Sequence, residues 1–272
     1  MEYTLDISFP PLPSTVTKVG ELIASGETDP NALVDIVKRD PVVSINVLQR
    51  VNSAYYGVRR SVDSVEQAVR LLGFTEVTTI AIIEGMSKMQ NRFTLQSRSI
   101  FRDILRSAVF TGRFAQKFSE ALSLPWEWTR PSFSAGLLYA TGRLVLLHAM
   151  PGTYAELVQE IGAPLPTADD ESRVFGPSHE TLAPRLCAHW KLPTRLCDIL
   201  CAVPTPMEVS DGPLRTLART IRSGSQLARQ DLAGEPLATP DDLQPIDADD
   251  LDALVTEGAE DAAAYSVEVG CL

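Results

Sequence analysis

A chain of 272 residues with 44% hydrophobic and 22% charged side chains has the composition of a globular protein that can bury a sizeable core. Its net charge of −11 is uneven, because residues 230–272 hold twelve acidic side chains and no Lys or Arg, leaving 24 basic against 23 acidic residues before them. A near-neutral body with an acidic end excludes the net basic surface that nucleic-acid binding needs, and no run of about 18 apolar residues marks a membrane span.

The opening MEYTLDISFPPLPSTV has no basic stretch leading into an apolar run, so a cytoplasmic address is expected. Asp29-Pro30 and Asp40-Pro41 each set a capping carboxylate before a proline at the first helical position, which predicts helices from 30 and 41. In the second, Val43, Val47, Leu48 and Val51 form an apolar stripe. Asn52-Ser53-Ala54-Tyr55-Tyr56-Gly57 reads as that helix's terminus, with Asn52 and Tyr56 also candidates for a recognition surface. Ser64 to Gln67 is a capping-box pattern, Gly73 ends the helix it starts, and Thr75 begins another.

Helical periodicity continues over 98–121, 131–149, 151–162, 169–190, 193–202, 213–231 and 247–265, with Asp247 as a cap and Leu251, Leu254 and Val255 as an apolar face. No stretch alternates with period two, so the fold class is all-α, a main domain over 1–231 with an acidic loop and helix over 232–272 packed on it. On the long helix Arg98, Arg102, Arg106, Arg113 and Lys117 fall within about 100° of one another. Such a stripe is a solvated face or a contact surface for an acidic partner, an anionic ligand or the chain's own acidic tail. Cys197 and Cys201 share a helix face with His179 and His189 upstream, but their apolar neighbours favour core packing over zinc. Cys187 and Cys271 add no paired framework, so free thiols are expected.

Three passages resemble one family. RDPVVSINVLQRVNSAYYGVRRSVDSVEQAVRLLG (39–73), FSAGLLYATGRLVLL (133–147), and the segment from Glu171 through GPSHETLAPRLCAHWKLP (176–193) are similar, in order, to the signatures of HDOD domains. That resemblance implies a single multi-helix relative of the HD phosphohydrolases, generally without their activity and acting in bacterial signal transduction. Where relatives read G-L-L-H-D-I-G-K, this chain has Tyr139 and Ala140 for the metal-gripping pair and Arg143 for the lysine. Arg106 stands where a ligand histidine falls on the preceding helix, and of the three histidines only His179 keeps a motif position.

Metal-assisted hydrolysis needs several imidazoles or carboxylates converging on the ion, with an open position for water. A set of Arg106, Tyr139, Ala140, Arg143 and His179 is a degenerate pocket by that standard, and Ser178-His179-Glu180 makes no triad, because sequence neighbours point apart. The expectation is a non-enzymatic regulatory module with no metal and no cofactor. Its partners would be signalling proteins, met through Arg98, Arg102, Arg113, Lys117, Asn52 or Tyr56. The alternatives are a pseudoenzyme that binds a nucleotide or cyclic dinucleotide, and a divergent metal-dependent phosphohydrolase.

Overall fold

The computed structural model describes residues 14–24, 29–53, 56, 58, 61–87, 94–190, 192, 194–210 and 212–237, with 253, 255, 256, 259 and 260 of the tail. Among them every regular element is helical, as the sequence predicts. They fall into two compact units, one over 11–92 and one dominated by 93–272.

The first unit holds α1 (Ser14–Ala24), α2 (Pro30–Lys38), α3 (Pro41–Val51) and α4 (Val65–Ser87). Both Asp-Pro starts behave as their chemistry requires. Asp29 accepts from the Asn31 N–H at 2.9 Å and Asp40 from the Val42 N–H at 3.2 Å. Asp40 also accepts from Thr15 Oγ1 at 2.9 Å, which ties α1 to the start of α3. Val43, Val47 and Val51 are buried, while Leu48 is half-buried. The expected boundary at Gly73 is a break within α4, where φ is +82° and only glycine is unstrained. A buried Arg50–Glu76 ion pair at 3.0 Å joins α3 to α4, a contact with no local sequence signal.

In the second unit α5 (Leu95–Ala121) and α6 (Trp126–Ala149) pack together, followed by α7 (Pro151–Ile161), α8 (Ala168–Phe175), α9 (His179–His189), α10 (Thr194–Ala202) and α11 (Pro213–Ala233). The predicted helix over 169–190 is two helices. Gly176 adopts φ +84°, and Pro177 disfavours helical backbone in the residue before it, so the chain turns and α9 begins afresh. From Pro131 to Leu147 α6 is buried on every side, which explains its apolar composition; no single described helix is long and apolar enough to cross a membrane.

Close approach fixes α6 in place. A Cβ on Gly136 would stand 2.7 Å from Thr111 O of α5, and one on Gly142 would stand 2.3 Å from His179 O of α9. The two glycines of the central motif are therefore packing residues. In the tail, Val255 is helical and buried, whereas Asp247, Leu251 and Leu254 lie outside the described residues.

Candidate functional site

Tyr139, Gly142 and Arg143 lie on the face of α6 turned to α9, and the contact at Gly142 brings Tyr139 and Arg143 to the first turn of that helix. Ser178 holds the N-cap position but makes no side-chain cap. Its part is taken by Glu171 of α8, whose Oε2 accepts from the His179 N–H at 2.7 Å and from His179 Nδ1 at 2.6 Å. Oε1 of the same carboxylate accepts from Tyr154 Oη at 3.0 Å and lies 3.6 Å from Arg143 Nε. Tyr139 donates to Glu180 Oε1 at 2.6 Å and meets the His179 ring edge-on at 5.4 Å. Glu171, fully buried, is the centre of the arrangement.

Burial, then the Glu180 charge, push the Tyr139 hydroxyl well above the usual phenol range, so it remains a donor. Burial, helped by the Arg143 charge, holds His179 below the usual imidazole value, so at neutral pH it is uncharged and its Nδ1–H donates to Glu171. Burial alone would raise Glu171, but the His179 hydrogen bonds and Arg143 outweigh it and hold the carboxylate ionised. Both shifts have the same consequence in acid. Below the ordinary imidazole value of 6.5 the unfolded chain takes up a proton that folded His179 refuses, and below 4.5 the same holds for Glu171, so stability falls with pH. The melting temperature is expected to drop as pH goes from about 7 to about 5, and His179→Asn, which keeps a donor but does not titrate, to flatten that drop. An equally steep fall in the variant would assign the effect to other groups.

Tyr139, Arg143 and His179 line a cavity of about 240 Å³ together with Thr167, Asp169, Glu180 and the α11 residues Arg222, Ser225, Gln226 and Arg229. Three of the five residues expected in a degenerate pocket are thus brought together. Ala140 is fully buried and offers no donor. Arg106 is not on the cavity wall, because it is drawn to Asp231 at 2.8 Å, at the end of α11. The α11 residues escaped the sequence reading. Their spacing of i, i+3, i+4 and i+7 was the available signal, since it makes one polar stripe beside the buried apolar residues Leu217, Ala218, Ile221 and Ala228.

The basic stripe on α5 is not one surface. Arg102 is exposed and Arg98 half-buried, but Arg113 is 8% exposed, with its guanidinium 5.1 Å from the centre of the Phe133 ring, because α6 covers that end of the helix. Asn52 spends its amide on structure: Nδ2 donates to Leu48 O and Val62 O, and Oδ1 accepts from the Val62 N–H, each at 2.8 Å. Tyr56 lies against Arg50, 5.7 Å from ring centre to guanidinium. Cys197 hydrogen-bonds Cys187, and burial raises the thiols of Cys187 and Cys201, which makes them poor metal ligands.

The donor set does not fit a catalytic metal. The only imidazole in the pocket gives its Nδ1 proton to Glu171, the phenol is held protonated, and Arg143 sets a buried positive charge on the cavity wall beside them. Residues 9–206 match the model of the HDOD domain. The chain belongs to the HDOD domain family. Solved structures share the fold: a protein of Marinobacter aquaeolei VT8 named for a supposed part in signal transduction, at TM-score 0.73 and 21% identity over 96% of this chain and 60% of that one. An HDOD domain protein of Geobacter sulfurreducens with unknown function gives 0.66 and 16% over 96% and 91%, and a protein of Shewanella amazonensis SB2B named for a supposed phosphohydrolase activity gives 0.65 and 18% over 96% and 94%. An uncharacterized protein of Treponema pallidum (strain Nichols) is 19% identical over 185 residues, 68% of this chain and 35% of that protein, so the chain spans about a third of that relative. All three sequence passages of this HDOD domain lie within the matched span, and α11 lies beyond it.

Proposed function

We infer that this HDOD domain is a regulatory module that works by binding another protein and turns over no substrate. The observation that carries the reading is the closed network around Glu171. Where a hydrolase of this fold needs ligands aimed at an ion, these side chains are turned to one another: His179 and Tyr154 hydrogen-bond Glu171, Tyr139 hydrogen-bonds Glu180, and Arg143 lies 3.6 Å from Glu171. A cation held in the middle of the site repels a metal and leaves no position at which water would be activated.

On this reading the outward part of the basic stripe, Arg98 and Arg102, is where an acidic partner docks. Two measurements test it. Full-length protein supplied with Mn²⁺, Fe²⁺ or Mg²⁺ is expected to give no turnover of a generic phosphodiester above the metal blank, and metal-dependent turnover would overturn the reading. A partner identified by cross-linking in the native host and then purified should bind more weakly, and with less salt dependence, to Arg98→Gln/Arg102→Gln, whose melting temperature should stay close to that of the parent. Binding that is unchanged across salt concentrations would move the partner surface elsewhere.

A further inference from the structure

Three arginines, Arg143, Arg222 and Arg229, line the cavity between α6, α8, α9 and α11. Each is anchored by a backbone carbonyl: Arg143 Nη2 donates to Pro166 O at 3.3 Å, Arg222 Nη1 to Pro204 O at 2.9 Å and Arg229 Nε to Leu165 O at 3.2 Å. These bonds hold the guanidinium planes and leave other N–H groups of each fork open. Among the described residues no carboxylate lies within ion-pair distance of Arg222 or Arg229, and the charges of Asp170, Glu235 and Glu171 act on Arg229 only from farther off. Arg143 is 1% exposed, and its Nη1 has no acceptor. A buried charged donor left that way costs stability unless something else supplies the acceptor.

The carboxylates nearby are otherwise placed. Glu171 is committed to His179 and Tyr154, Glu180 to Tyr139 and Asp170 to Thr167, while Asp169 is exposed. The start of α8, at Thr167 to Asp169, also faces the cavity, and the first N–H groups of a helix have no acceptor within it.

We propose that this cavity binds the phosphoryl group of a small phosphorylated molecule, held by Arg143, Arg222 and Arg229. Three guanidinium forks suit an anion with three terminal oxygens and a charge of about −1.5 to −2 better than a carboxylate with two oxygens and one charge. The volume of about 240 Å³ lies below the roughly 300–1,000 Å³ of drug-sized sites, which leaves room for a small polar remainder and none for a cyclic dinucleotide. Hydroxyl or amino groups of that remainder meet Glu180, Gln226 and Asp169. The assignment goes beyond protein binding as the proposed function and does not depend on it.

The test uses the full chain, with thermal unfolding and calorimetry against inorganic phosphate and glucose 6-phosphate as probes, and citrate and matched sodium chloride as controls. Both phosphates should bind saturably and raise the melting temperature beyond the chloride control. Arg222→Gln/Arg229→Gln, which removes two half-buried groups without a carboxylate partner, should weaken that binding about tenfold or more. No saturable binding, full binding by the double variant, or tighter binding of citrate than of either phosphate would each overturn the proposal. Should the double variant fail to fold, tungstate soaked into crystals of the unaltered protein decides: an anomalous peak beside Arg143 Nη1 and Arg229 supports the site, and a peak elsewhere or none refutes it.

Discussion

Gly142→Ala will destabilise the protein, and more than Gly136→Ala, whose added Cβ would stand 2.7 Å from its nearest neighbour. The Cβ added at Gly142 would stand 2.3 Å from His179 O and 3.1 Å from Ala183 N, and both are backbone atoms of α9 that no rotamer change can move aside. Overpacking ordinarily costs about 1–3 kcal/mol, and a contact this short with backbone belongs at or above the upper end. At roughly 2–4 °C per kcal/mol for a domain of this size, the melting temperature should fall by about 6–12 °C. Gly152→Ala is the control, since nothing lies within 4 Å of its added methyl on α7. Calorimetry or circular dichroism showing Gly142→Ala melting with the parent would mean that α6 and α9 have slack the structure does not show.

Restoring the missing pair, Tyr139→His with Ala140→Asp, is expected to yield no metal-dependent phosphodiesterase and a less stable protein. Ala140 is fully buried, one helical turn from Gly136 on the side packed against α5, so the new carboxylate enters an apolar interface. Its desolvation costs several kcal/mol. The histidine at 139 loses the hydrogen bond to Glu180, and Arg143 still places a positive charge beside any incoming ion. Tyr139→Phe separates the two effects, because it removes one hydrogen bond for about 1–2 kcal/mol without adding a charge. Turnover of a phosphodiester by the double variant, absent from the parent and dependent on added metal, would show that the ligand set is more nearly complete than the Glu171 network suggests.

The sequence made much of the fold legible because its helix starts are chemically explicit. Asp29-Pro30 and Asp40-Pro41 cap as their side chains dictate, and the motif glycines lie where helices touch. Part of the pocket was legible too, since Tyr139, Arg143 and His179 stand at motif positions. Glu171 stood in the same motif without announcing its role, which depends on the turn at Gly176 bringing α8 back onto the start of α9. The basic stripe misled for a geometric reason. A helical wheel collapses 27 residues onto one circle, whereas α5 is covered at Arg113, partnered at Arg106 and open at Arg102. Arg222 and Arg229 were missed because a polar stripe facing a cavity and one facing solvent have the same periodicity.

The cavity is assembled from two sources. Its floor, Tyr139, Arg143 and His179, belongs to the span shared with the family, while Arg222, Ser225, Gln226 and Arg229 come from a helix that starts after that span has ended. The tight seams that hold the floor, at Gly136 and Gly142, involve α5 and α9, and Gly224 on α11 meets only the side chain of Phe114. One wall can therefore drift through many substitutions while the packing that defines the scaffold stays put. Exchanging only Arg222, Gln226 and Arg229, with the buried Ser223, Gly224, Leu227 and Ala228 kept, would change the charge of that wall and leave the packing of α11 in place.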